Sequence, residues 1–366
     1  MNDFFEKLQE GINKNIKGVH ASVMANSEIA TNHYWIPTPA LDLNRALSGS
    51  TQRGIQSRNL VGIVGPEHTF KSSFMILCMV EAVKQGKKAV IIDTEGGLKR
   101  DFCARWGLDL DNTYYIYTPF VHEVRSVLGQ IRATGEHELI VGLDSVGGLD
   151  RLKQFADAEK GEMKADQGLL QKEIRSMLKL FLNICIAQNS IGIATGHMYG
   201  SPGSVPLPDQ IGGGKAMKLF PSILIQLQKH PIFEFPNKKG AERGKIVGTE
   251  IKASTLKNRM YPPFQTATVK MNYTDGIDAY AGLLDLGVTA NIIEKNGSWY
   301  NFKGEKLQGA ESAEKFVSEF EFINELDAWL EKTGYSTMSK EIQQAEELLA
   351  EEEKNDRKIK KIEKKD

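Results

Sequence analysis

Short runs of almost wholly apolar residues recur along the chain, and segments with helical spacing separate them. The runs are LVGIV at 60–64, AVIID at 89–93, LIVGLD at 139–144 and IGIAT at 191–195. Between them lie a helix from Lys71 to about Lys84, a second from about Leu98 to Trp106, and the long stretch LLQKEIRSMLKLFLNICIA. A strand that is apolar on both alternating faces is buried from both sides, so this order predicts an α/β fold with a parallel sheet covered by helices on each face. Three later segments, ILIQLQ at 223–228, IVGTEIKAS at 246–254 and TATVKMNY at 266–273, have no helix between them. They read as antiparallel additions to one edge of that sheet.

At the start of the chain Phe4, Phe5, Leu8 and Ile12 recur at helical spacing, predicting an amphipathic helix over residues 2–17 with Gly18 as its stop. The stretch that follows is irregular, with an extended segment expected at Ala21–Met24, and the residues after Trp106 read as a polar region up to the strand at 139. Residues 280–335 mix aromatic residues, turns and helix signals, which suggests a small C-terminal lobe. From about Ser339 the chain is nearly all charged, as in EIQQAEELLAEEEKNDRKIKKIEKKD, the pattern of a solvated helix or a disordered tail.

Length changes this picture little: 366 residues suit about two or three structural units, and 41% apolar residues can supply a sizeable core. The 46 basic and 47 acidic residues nearly cancel, so composition alone points to neither nucleic acid nor membrane, and such a partner must be met by a local patch. Cys78, Cys103 and Cys185 stand singly without CxxC spacing, which fits a reducing compartment and no structural metal. No run approaches the roughly 18 apolar residues of a membrane span, and the mixed charges of MNDFFEKLQEGINKNIK are not a signal peptide. A soluble, intracellular protein is expected.

The first candidate chemistry is GPEHTFKSS at 65–73, which follows an apolar strand and opens a helix. The phosphate-cradling pattern is G-x-x-x-x-G-K-[ST], and Gly65, Lys71 and Ser72 satisfy it while Phe70 stands at its second glycine. That glycine keeps a side chain away from the phosphates, so Phe70 must point outward from a backbone that tolerates it. The second candidate is IIDTEGG at 91–97, where a strand ends in Asp93 and Glu95. The third is the strand of ELIVGLDSVGGL, ending in Asp144 and Ser145. Each carboxylate alone reads more readily as a cap or turn residue, but three such strand ends in one βαβ series suit a nucleotide. Glu95 can orient an attacking water, and Asp144 can hold magnesium through its water shell. Two irregular segments leave the same edge: residues 151–168, and the glycine-rich stretch from His197 to GGGKAMK. Segments this long are functional loops or ordinary mobile surface.

In this order, the motifs resemble the RecA family of DNA strand-exchange recombinases from about Ala21 to Leu330. ARWGLDLDN at 104–112, LKNRMYPPF at 256–264 and YAGLLDLGVTANIIEKNGSWYNFKGEKL at 280–307 are similar to this family rather than to phosphate-loop ATPases in general. Phe70, His197 and the GGG at 212–214 are similar to the phage UvsX branch. The resemblance implies a RecA-type ATPase core over 36–275, with a helix and docking segment at 1–35, a C-terminal lobe at 276–337 and a charged tail at 338–366. It implies an ATP- and Mg2+-dependent, DNA-stimulated ATPase that forms a helical filament on single-stranded DNA and exchanges strands with homologous duplex DNA.

For the site, the resemblance implies that Gly65, Pro66, Glu67, His68, Thr69, Phe70, Lys71, Ser72 and Ser73 cradle the phosphates. Ser72 and Asp144 would hold the metal, Glu95 would position water, and His197 would sense the γ-phosphate. Phe102 would stack on adenine, or else be a packed helix residue. Lys257 and Arg259 would reach the neighbouring protomer's ATP. Residues 151–168 and 198–214 correspond to the DNA-binding loops, with Lys153, Lys160, Lys164, Met198, Gly212, Gly213, Gly214 and Lys215 as candidate contacts. Ala21–Met24 would dock on the adjacent protomer, giving an open head-to-tail filament. Single-strand-binding and loader proteins are expected partners, no membrane is, and a cytoplasmic protein is implied, in the host cell if phage-encoded. The tail departs from the acidic family tail by turning basic at RKIKKIEKK. A hexameric helicase shares the core, but the LKNR pair and the 280–307 lobe argue against it. Joint retention of Lys71, Ser72, Glu95 and Asp144 argues against a filament protein without turnover.

Overall fold

In this computed structural model, residues 3–16, 21–31, 33–152, 167–198, 211–235, 238, 240–274 and 276–333 are described. Gly18, the loop lysines Lys153, Lys160 and Lys164, and the tail at 338–366 lie outside them. In chain order the elements begin with α1 (Asp3–Asn15), α2 (Glu28–Thr31), β1 (Trp35–Ile36), α3 (Leu41–Ser48), β2 (Ile55–Gln56), β3 (Asn59–Gly65), α4 (Lys71–Lys84) and β4 (Ala89–Asp93). Next come α5 (Arg100–Arg105), β5 (Thr113–Tyr117), α6 (Val121–Ala133), β6 (Ile140–Asp144), α7 (Gln167–Ala187), β7 (Ile191–His197) and α8 (Lys215–Leu219). The chain continues through β8 (Ile223–Phe233), β9 (Ile246–Asn258), β10 (Thr266–Asn272) and β11 (Gly276–Asp278). The C-terminal lobe holds α9 (Leu283–Thr289), β12 (Glu294–Asn296), β13 (Trp299–Phe302), β14 (Glu305–Gln308), α10 (Ala310–Val317) and α11 (Phe320–Thr333).

The main sheet has nine strands in the order β11-β10-β9-β8-β3-β7-β6-β4-β5. Every residue of β3 is buried, and its side chains alternate between two cores. Val61 and Ile63 join α4 on one face, while Leu60 and Val64 join α6 and α7 on the other. Helices on both faces explain why this strand reads as a continuous apolar run. The strands β3, β4, β5, β6, β7 and β8 are mutually parallel, so their carboxyl ends share one edge. A third core, with Leu283, Phe302, Phe316 and Phe322, fills the lobe. Asp327 ties that lobe to the main body by accepting from the Thr51 N–H at 2.8 Å and the Thr51 hydroxyl at 2.7 Å.

The fold corrects several expectations. ILIQLQ is not an antiparallel addition, because β8 pairs parallel with β3, Val61 opposite Ile223, and antiparallel pairing begins only at β9. The polar region after Trp106 contains β5 and α6. The strand TYYIY escapes a burial pattern because it is outermost and exposes Tyr114, Tyr115 and Tyr117. Met24 opens a single 3-10 turn, Met24–Asn26, so the segment before it is shorter than expected. Among the described residues, no helix is long and apolar enough to cross a membrane.

Candidate nucleotide-binding site

Parallel strands bring their carboxyl ends, and the loops that follow, to one rim, where ligands of open α/β sheets bind. Here that rim encloses a cleft of about 580 Å3 that brings together Lys71, Ser72, Glu95, Phe102, Asp144 and His197. Glu67, His68, Thr69, Phe70 and Ser73 line it as well. Gly65 and Pro66 face it through their carbonyls, which accept from Lys71 Nζ at 3.1 and 2.6 Å. Helix α4 starts in this cleft with no side chain capping its N-terminus. Its first-turn N–H groups and dipole therefore remain available to an anion, as a phosphate site requires.

Lys71 is buried, and burial lowers its pKa against the opposing pull of Asp144, Glu95 and Glu67, while Lys229 lowers it further. Asp144 shows the converse. Burial pushes its carboxyl up, and hydrogen bonds from Ser72 and Thr195 oppose that shift. A carboxylate and a hydroxyl in direct contact are hard oxygen donors of the kind Mg2+ takes, so Ser72 and Asp144 fit that ion.

Glu95 is held by its surroundings. Its Oε1 accepts from the Ser145 hydroxyl, and His197 Nε2 lies 3.2 Å from the same oxygen. The turn carrying Glu95 wraps a buried carboxylate: Asp93 accepts from the N–H groups of Glu95 at 3.0 Å, Gly96 at 2.8 Å and Leu98 at 2.9 Å. Asp93, which the sequence groups with Glu95 at the strand end, is thus a turn former. The Thr94 hydroxyl in turn donates to the Ser145 carbonyl at 2.8 Å.

Phe70 occupies the position of the missing glycine with the left-handed backbone that glycine would adopt, at φ 73°. Its ring meets Trp106 edge-on at 5.3 Å, and Trp106 meets Phe102 at 6.4 Å. The ring contact offsets a backbone conformation that costs a side chain about 1–2 kcal/mol. Phe102 lines the cleft and also packs on the core. Phe70 is the N-cap of α4, a position that already favours glycine over alanine, and the positive φ adds to that preference. Phe70→Ala is expected to cost about 2 kcal/mol, since the ring is lost and the strain kept. Phe70→Gly should be about 1 kcal/mol more stable than the Ala variant, because glycine accepts φ above zero. Urea midpoints of the two variants check this, and an Ala variant at least as stable as the Gly variant would contradict it.

The rim is wired to the segment that follows β7. The Met198 N–H donates to the Gly65 carbonyl at 3.0 Å, the Gly212 N–H donates to the His197 carbonyl at 2.6 Å, and Met198 bridges Ile211. Gly212 and Gly213 are buried. A Cβ at Gly212 would press on the His197 backbone at 3.2 Å, and one at Gly213 would meet Val146 at 2.6 Å. These glycines therefore serve close packing at the base of the segment. Gly214 is half-buried and Lys215, at the start of α8, is exposed.

Lys257 and Arg259 do not line the cleft. Lys257 Nζ donates to the carbonyls of Lys218 at 3.2 Å and Leu219 at 2.8 Å, and Arg259 lies with Arg175, Lys179 and Phe220 around a shallow pocket. The structure also adds cleft residues that sequence reasoning missed: Lys229, Thr249, Met271 and Tyr273. Lys229 lies in β8 just beyond the strand's last parallel pair with β3, Val64 opposite Gln226, and the antiparallel reading of ILIQLQ hid that position. Thr195, two residues before His197, also went unnoticed, although its hydroxyl donates to Asp144 Oδ1.

Two family models together match most of this chain. The model of the RecA N-terminal domain matches residues 7–278, and that of the RecA C-terminal domain matches residues 281–332. Protein RecA of Heliobacterium modesticaldum is 29% identical over 291 residues, covering 77% of this chain and 78% of its own. Protein RecA of Bartonella quintana is 28% identical over 306 residues, 82% of this chain and 83% of its own. Protein RecA of Francisella tularensis subsp. novicida is 28% identical over 302 residues, 81% and 79% respectively.

Proposed function

Because the chain belongs to the RecA family of recombinases, we propose that it forms an ATP-bound helical filament on single-stranded DNA and exchanges strands with homologous duplex. The observation that carries this reading is the shared rim: one cleft holds Lys71, Ser72, Glu95, Asp144 and His197, and backbone hydrogen bonds join it to the segment after Met198. Lys71 and the start of α4 bind the phosphates, Glu95 orients the attacking water, and Phe102 stacks on the base. Mg2+, held by Ser72 and Asp144, neutralises phosphate charge when bound. His197, beside Glu95, passes the state of the γ-phosphate to residues 198–214. That segment and residues 151–168 grip DNA, with Lys153, Lys160, Lys164, Met198 and Lys215 as contacts. Phe70, His197 and the GGG at 212–214 support placing the chain in the phage UvsX branch, acting in the host cytoplasm with single-strand-binding and loader proteins.

In this reading residues 1–35 and the core join head to tail, and Lys257 and Arg259 meet the neighbour's nucleotide rather than their own. Hydrolysis resets the filament and does not supply pairing energy, because a new heteroduplex is about as stable as the duplex it replaces. Transfer of a labelled strand from linear duplex to a homologous single-stranded circle tests the proposal. ATP-dependent transfer is expected, and transfer that ignores nucleotide or homology would contradict it.

The neighbour contact has a pH signature. Burial, with Arg259 adding repulsion, lowers Lys257 to about 8. The cation is complete well below that value and lost above it, so DNA-stimulated kcat/KM should fall as pH rises through about 8. Unfolding is not the cause. A lysine with a lowered folded pKa binds more protons when unfolded, so its contribution to stability rises with pH between about 8 and its ordinary 10.5. Lys257→Arg should carry activity to higher pH, and a profile unchanged in that variant would exclude the role.

A further inference from the structure

The buried Asp93 carboxylate at the end of β4 has four close donors, and three of them are N–H groups of the turn that carries Glu95. The fourth comes from outside that turn. It is the hydroxyl of Tyr115, which donates to Asp93 Oδ2 at 2.9 Å from the middle of β5. Asp93 is 1% exposed, so each of these donors satisfies an oxygen that water does not reach. Burial and Asp93 push the Tyr115 hydroxyl up to about 12, which keeps it a donor at any working pH. Around the turn, Asp93 Oδ1 holds the N–H groups of Glu95 and Gly96, while Oδ2 is shared between Leu98 and Tyr115. The hydroxyl thus fixes the carboxylate about which the Glu95 turn is wound. It does so from the outermost strand of the sheet, whose far side has no partner among the described residues.

We propose that Tyr115 is a positioning residue for Glu95, acting through Asp93, so that turnover depends on a hydroxyl of the sheet edge that never touches the nucleotide. The inference rests on reading Glu95 as the water-positioning carboxylate. Tyr115→Phe removes one oxygen, leaves the packing of the ring, and strips the Asp93 carboxylate of the one hydrogen-bond donor beyond the turn that it has among the described residues. The phosphate loop and the stacking residue are untouched, so nucleotide affinity stays as it was. A displacement well under an ångström at the water is enough to slow the chemical step about tenfold.

The experiment measures DNA-stimulated ATP hydrolysis of the full chain for wild type, Tyr115→Phe, Glu95→Gln, the double variant, and Tyr114→Phe as a control from the same strand. Tyr115→Phe is expected to lower kcat about tenfold with KM for ATP within about twofold of wild type. In the Glu95→Gln background the same change should cost nothing further, because the group it positions is already disabled. Tyr114→Phe should match wild type. A loss that appears equally in kcat and KM, or that adds fully to Glu95→Gln, would mean a general structural role and overturn the proposal. A Tyr115→Phe variant with wild-type kcat beside an inactive Glu95→Gln would overturn it alone. A fully active Glu95→Gln would overturn both the proposal and the reading of Glu95.

Discussion

Lys71→Ala is expected to weaken ATP binding by about thirtyfold or more while leaving the fold as stable as the parent. Removing a buried, hydrogen-bonded cation from its charge partner costs about 2–5 kcal/mol, and each 1.4 kcal/mol is tenfold in affinity. Lys71 is buried beside the loop, and its ammonium donates to the carbonyls of Gly65 and Pro66. Its charged form is already penalised by burial, as its lowered pKa records. Deleting it therefore relieves desolvation as well as losing two hydrogen bonds, and the folded state should not suffer. Equilibrium binding of a fluorescent ATP analogue, paired with a thermal melt, separates the effects. Full nucleotide affinity in the variant would remove Lys71 from the phosphate site.

Glu95→Gln should behave differently: nucleotide binding persists, turnover falls by about 10²–10³, and complexes with DNA outlive those of the parent. The magnitude is that of losing a positioned base or water-orienting group. An amide oxygen can still accept from the Ser145 hydroxyl, so the side chain keeps its place while losing its charge. The His197 contact at 3.2 Å is retained in geometry but not in electrostatics, so signalling to the segment beyond Met198 is also probed. If ATP is the state that holds DNA, blocking hydrolysis traps it, and off-rates in ATP become much slower than in ADP. Equal DNA lifetimes with ATP and ADP in this variant would contradict nucleotide control.

Much of this site was legible because buried parallel strands announce themselves. The runs ending near Gly65, Asp93, Asp144 and His197 are apolar on both faces, so the sequence alone aligns their carboxyl ends. What could not be read depends on strand order and on open faces. The strand TYYIY is the sheet's outer edge, and its exposed tyrosines broke the pattern that marked the others. Lys229 and Tyr273 reach the cleft because β8 lies against β3 and β9 and β10 follow it, a neighbourhood that local periodicity does not encode. Phe70 was legible as a departure, but its remedy was not. The ring of Trp106 that receives it lies beyond β4, just past the end of α5, and the core on which both rings pack brings the two together. Asp93 shows the opposite limit: a carboxylate at a strand end reads as chemistry until its turn partners are seen.

The central claim is that nucleotide in the rim cleft controls a filament on single-stranded DNA. The most direct measurement is ATP hydrolysis with and without single-stranded DNA, beside electron micrographs of the same mixtures. The account predicts hydrolysis that DNA stimulates and open helical filaments in ATP. Strong hydrolysis by closed rings, or filaments that form without any hydrolysis, would contradict it.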